Sequence, residues 1–104
     1  MNTQQIAELG EQLLHLRSVM AMITQVALDK KAGMVNSHVL SLNSMTARSR
    51  MDCYLPEPVF HGFLQSLFTE RVNALTDKGI DLQEELYKWR QDMLAKGIDI
   101  DKEF

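Results

Sequence analysis

The side chains equipped for nucleophilic or metal chemistry are one cysteine, Cys53, and three histidines, His15, His38 and His61. A thiol nucleophile acts as its thiolate and needs a base beside it in space, so Cys53 served by His61 or His38 is the pairing the chain offers. The competing account is a small free cysteine that fills space, and nothing in the spacing lifts catalysis above it. Among Cys53 and the three histidines no pair lies three or four residues apart on a helix and there is no Cys-x-x-Cys, so zinc-ligand spacing is missing from this set. His15 reads as a surface or interface-edge residue. Glu70 to Glu103 carries nine acids against six bases. Helical pairs such as Glu84 and Glu85 with Lys88 contribute only ~0.2–0.5 kcal/mol each, which marks a solvated face and not a catalytic dyad. No catalytic residue, metal or cofactor is assigned, and the chain is not expected to be an enzyme.

Recognition chemistry is better represented. Arg71 projects into the apolar arc of its helix between Leu67, Phe68 and Leu75, where it either snorkels to water or meets an acid on a partner chain. Tyr87, Lys88, Trp89 and Arg90 combine aromatic and basic groups of the kind enriched at protein interfaces. Trp89 belongs to an apolar stripe and reads as core or interface, with Tyr87 flanking it and the two bases solvated; Arg71, Tyr87 and Trp89 are the candidate partner-binding residues. Thr46, Arg48 and Arg50 are a second candidate, outward-facing if their segment is a strand.

The elements that must position these groups read as mostly helical. Apolar residues at Ile6, Leu9, Leu13, Leu16, Met20, Ile23 and Ala27 alternate three and four apart, the seam of a helix over 3–32 about 30 Å along. Asn2 and Gln5 resemble a capping box, and Lys30, Lys31 and Gly33 suit the C-terminal end. Apolar Ala7, Leu14, Ala21 and Leu28 flank the seam and widen the expected buried arc. The first six seam positions, Ile6 to Ile23, are the expected self-association surface.

The segment 34–55 is ambiguous. Serine and asparagine lower its helix propensity, yet Val39, Leu42 and Met45 fit a thin helical stripe. A strand places Met45, Ala47, Ser49, Met51, Cys53 and Leu55 on one face and Thr46, Arg48, Arg50, Asp52 and Tyr54 on the other, with Asn43 and Ser44 able to turn a hairpin between Val39 to Leu42 and this run. Helix is slightly favoured for Ser37 to Ala47, with a short β segment within 38–55 as the other reading. Pro56 and Pro58 then open a helix over 58–77, and Asp81 with Glu84 opens one over 82–96. The tail 97–104 repeats what precedes it by eighteen residues: Lys78-Gly79-Ile80-Asp81-Leu82 returns as Lys96-Gly97-Ile98-Asp99-Ile100. Reuse of helix-stop and helix-start chemistry accounts for the echo, and Phe104 is expected to dock on a core or partner.

The expected architecture is one domain, 1–104, a bundle of three to four helices with a long N-terminal helix. Strand, then helix 58–77, then helix 82–96 resembles the topology of ribbon-helix-helix proteins. That resemblance implies DNA binding through Thr46, Arg48 and Arg50 on a ribbon made by two chains. The chain departs from the pattern in its preceding long helix and in its net charge of −3. A negative chain lacks the global field that collects polyanions, which places nucleic acid second among partners. The polar N-terminal stretch does not read as a signal peptide and no run reaches spanning length, so a cytoplasmic protein with no membrane role is expected. The leading functional expectation is a homodimeric interaction module that binds another protein as adaptor, inhibitor or regulatory subunit.

Overall fold

The computed structural model describes residues 2–33, 37–44 and 49–103. Six elements follow in order: α1 Thr3–Lys31, β1 Ser37–Ser44, β2 Ser49–Pro56, α2 Glu57–Asp77, α3 Gln83–Ala95 and α4 Ile100–Glu103. The fold is mostly α, a small bundle with a long N-terminal helix and a short β segment.

Asn2 caps α1 through a reciprocal box. Its Oδ1 accepts from the Gln5 amide at 2.8 Å while its own amide donates to Gln5 Oε1 at 3.0 Å, satisfying two otherwise orphaned donors. The helix stops where Gly33 takes a φ of 72° and its amide donates to the Lys30 carbonyl at 3.0 Å.

The helical preference for Ser37 to Ala47 is corrected over Ser37–Ser44, which is strand; residues 45–47 lie outside the described residues. β1 and β2 pair antiparallel without interruption from Ser37 opposite Pro56 to Ser44 opposite Ser49. Asn43 and Ser44 therefore end a strand and do not form the turn. The register explains the choice. Leu40 faces Cys53 and Leu42 faces Met51, while Ser41 faces Asp52 and Asn43 faces Arg50. Strand periodicity thus puts Leu40, Leu42, Met51, Cys53 and Leu55 on one face, and both charged residues, Arg50 and Asp52, on the other with Val39 and Tyr54.

α2 opens after Pro56 with Pro58 in its first turn, where a missing amide costs nothing. It runs antiparallel to α1, so that Leu64 and Phe60 meet Ile23 and Ala27, and Leu75 meets Leu16 and Met20. α3 covers the groove between them. Its Trp89 touches both core clusters, stacks at a tilt on Phe68 with ring centroids 5.6 Å apart, and donates to Thr24 Oγ1 at 2.9 Å.

The repeated pentapeptide folds the same way twice. Gly79 and Gly97 have φ values of 86° and 81°; the next amides, Ile80 and Ile98, reach back to the carbonyls of Leu75 at 3.1 Å and Met93 at 2.9 Å. This is the glycine-terminated helix stop that satisfies trailing carbonyls. Asp81 and Asp99 then each accept from the amide two residues on. The capping box expected for Asp81 with Glu84 is thereby corrected: Leu82 holds the cap position with its side chain buried, and Asp81 accepts from the Gln83 amide from one residue further out.

The molecule is open for its length. The Cα radius of gyration is 15.7 Å, against about 13 Å for a compact chain of this size. Its accessible surface of 7424 Å² exceeds the roughly 5,900 Å² of a typical folded monomer of this mass by about 1,500 Å².

Candidate interaction surfaces

The core claims half of the N-terminal seam. Leu16, Met20 and Ile23 are at most 7% exposed and pack on α2 and the segments around α3, so these three expected self-association residues belong to the chain's own interior. Ile6 stays 59% exposed, and Leu9 and Leu13 are half-buried at the edge of the second cluster. The flanking positions also differ from expectation: Ala7, Leu14 and Ala21 face solvent, and only Leu28 packs. The cause is geometric, since one three-helix bundle covers a single arc of α1 and leaves the opposite side bare.

The three candidate partner-binding residues divide. Tyr87 is exposed and borders a shallow groove lined by Val72, Ile80, Leu86 and Arg90. Arg71 is half-buried with Nε 3.6 Å from Glu70 Oε2, an acid of its own chain. Of the two readings of Trp89, core or interface, the structure shows the core one: its indole nitrogen and ring are both committed inside the bundle. Apolar surface not singled out in the sequence lies at Tyr54, Val59, Phe63, Met22 and Leu94. Val59 and Phe63 sit four apart on α2, a signal submerged in that helix's broad apolar pattern.

Thr46 and Arg48 lie outside the described residues. Arg50 is on β2 opposite Asn43. The ribbon is formed within one chain, whereas the ribbon-helix-helix pattern takes one strand from each of two chains.

Cys53 is exposed, its sulfur 4.0 Å from the carbonyl of Tyr54. The register sets His38 and Cys53 at diagonal positions of one sheet face, a backbone separation of roughly 7–8 Å. His61 lies on α2 beside Lys30, Glu57 and Pro58. His15 is exposed, with Nε2 3.9 Å from Glu11. Among the described residues, no group of three potential ligands is placed to hold a metal, and no helix is long and apolar enough to cross a membrane.

Polar contacts outside the core mainly tie helices together. Arg17 Nε meets Glu85 Oε1 at 2.7 Å, and this hydrogen bond, with the attraction behind it, holds the guanidinium pKa above its ordinary value. Lys30 pairs with Glu57 at 3.1 Å, and Lys31 Nζ donates to the Lys96 carbonyl at 2.6 Å. Arg90 Nε lies 3.3 Å from Asp101 Oδ1, in ion-pair range but off the hydrogen-bond direction, and holds α4 to α3. What these elements leave facing outward includes apolar surface at Ile6, Leu14 and Met22 on α1, Val59 and Phe63 on α2, Tyr87 and Leu94 on α3, and Tyr54 on β2. Compared with protein-family models, curated proteins and solved structures, the chain matches none.

Proposed function

We propose that this protein is a non-enzymatic helical interaction module that self-associates, in its simplest form as a homodimer, and binds another protein as adaptor, inhibitor or regulatory subunit. The surplus of about 1,500 Å² over a folded monomer of its mass carries the reading. Two chains each covering that area bury about 3,000 Å² in total, within the range of obligate homodimers. Of the N-terminal seam, Ile6 and the edges of Leu9 and Leu13 remain available for contact between copies. Tyr87 and Leu94 on α3 offer apolar surface to a different protein. Light scattering during size-exclusion chromatography is the test: a dimer is expected at micromolar concentration, and a monomer of 11.9 kDa sinks the self-association.

A DNA-binding regulator is the second reading, favoured by one observation: Ser37–Ser44 and Ser49–Pro56 form a two-stranded ribbon, with Arg50 on the face that also holds Ser41, Asn43 and Asp52. Binding to duplex DNA that weakens steeply between 50 and 200 mM salt would support it, and unchanged mobility at low salt removes it.

A further inference from the structure

We infer that the second copy adds to the outer edge of β1, joining two hairpins into one four-stranded antiparallel sheet with the order β2-β1-β1-β2 across a two-fold axis. The inference deepens the proposed self-association and rests on it. Its starting point is that the sheet has two strands among the described residues. A two-stranded hairpin is marginal in water; a third strand or a covered apolar face is what stabilises it. Here the cover is partial: Leu55, at the base of the hairpin, packs on the first core cluster, whereas Cys53, one step further along the same face, is exposed.

The two edges of the hairpin differ in how they are defended. Folded proteins protect open edges with charges, prolines or bulges. β2 carries Arg50 and Asp52 and ends at Pro56. β1, Ser-His-Val-Leu-Ser-Leu-Asn-Ser, has no acid, no Lys or Arg and no proline, and its register with β2 is unbroken over eight residues. Such an edge is a template for another strand.

A second copy of this chain is the occupant that β1 itself fits. Antiparallel pairing about Ser41 sets Leu40 of each copy opposite Leu42 of the other, on the face that already holds Met51, Cys53 and Leu55. The apolar faces of both hairpins then become one continuous surface. No Lys, Arg, Asp or Glu meets its like across the axis, so the pairing carries no like-charge cost. The surplus surface of each chain is of the size that one side of a homodimer covers.

Residues facing each other across an antiparallel pair have Cα atoms about 4.5–5.5 Å apart, inside the range a disulfide spans. The test is therefore full-length protein carrying Cys53→Ser and Ser41→Cys, oxidised mildly and compared with Cys53→Ser and Leu14→Cys, which reports on the outer face of α1. The expected result is a dimer by light scattering for the unsubstituted chain and a covalent dimer through Ser41→Cys but not through Leu14→Cys. Ser41→Lys is expected to raise the dimer dissociation constant at least tenfold with the helical circular dichroism unchanged. A dimer that forms no Ser41→Cys link, or that is indifferent to Ser41→Lys, overturns the β1 edge while leaving self-association standing. A monomeric unsubstituted protein overturns both.

Discussion

Replacing Gly97 by alanine is expected to cost about twice as much stability as replacing Gly79, although the two glycines end their helices in the same way. Each holds a positive φ, 81° and 86°, where a Cβ is strained by roughly 1–2 kcal/mol less whatever is gained by stiffening the unfolded chain, leaving about 1 kcal/mol for either substitution. Their surroundings then separate them. A Cβ at Gly79 meets nothing within 4 Å, whereas one at Gly97 overlaps Lys31 Nζ. That ammonium donates to the Lys96 carbonyl at 2.6 Å and joins the C-terminal ends of α1 and α3. Moving it aside removes a hydrogen bond from a charged donor, a further ~1 kcal/mol at this exposed site. Urea unfolding followed through Trp89, the only tryptophan, should give losses near 1 kcal/mol for Gly79→Ala and near 2 kcal/mol for Gly97→Ala. All variants are compared at one protein concentration, because self-association shifts apparent stability. In a Lys31→Ala background the two losses should become equal. Equal losses in the original background, or a difference that survives the loss of Lys31, would show that the Lys31 contact is not what separates the two joints.

Thr24→Val removes the acceptor of the Trp89 indole in a half-buried site and should cost about 1–2 kcal/mol, with a shifted Trp89 emission in the folded state. Ile23→Ala opens a cavity at a side chain only 2% exposed; a loss of roughly 2–5 kcal/mol by denaturant titration is expected, and one below 1 kcal/mol would place Ile23 outside the core. Asn2→Ala deletes the capping box and should cost about 1 kcal/mol, read as faster hydrogen exchange confined to the first turn of α1.

The helices were legible because each boundary has a local chemical cause: Asn2 with Gln5 at one start, Pro58 at another, Gly33, Gly79 and Gly97 at the stops. The repeated pentapeptide was legible for the same reason, and it folds as two copies of one joint. Ser37–Ser44 was not, since thin apolar spacing at Val39 and Leu42 suits a helical stripe until pairing with Ser49–Pro56 sorts the faces, and that pairing is non-local. The candidate site was legible in kind and misplaced in detail. Periodicity marks which residues of α1 are apolar, but which of them the chain covers depends on where α2 and α3 lie. Leu16 and Ile23 accordingly went inward and Leu14 outward. Trp89 on its apolar stripe suits a core or an interface equally, and what decides for the core is non-local, since its acceptor, Thr24, is sixty-five residues away.

The pairing of Ser37 with Pro56 has a consequence for how the chain tolerates change. It brings both ends of a twenty-residue excursion to within ~5 Å of each other, so the helical body meets the hairpin as a single short splice between α1 and α2. Entropic cost of closure between those helices is then set at the splice and not by the length of chain beyond it. Lengthening, shortening or exchanging the far end alters what the protein can reach without altering how its helices are spaced. Natural variation in this chain should therefore thin out toward the hairpin's base at Ser37 and Pro56.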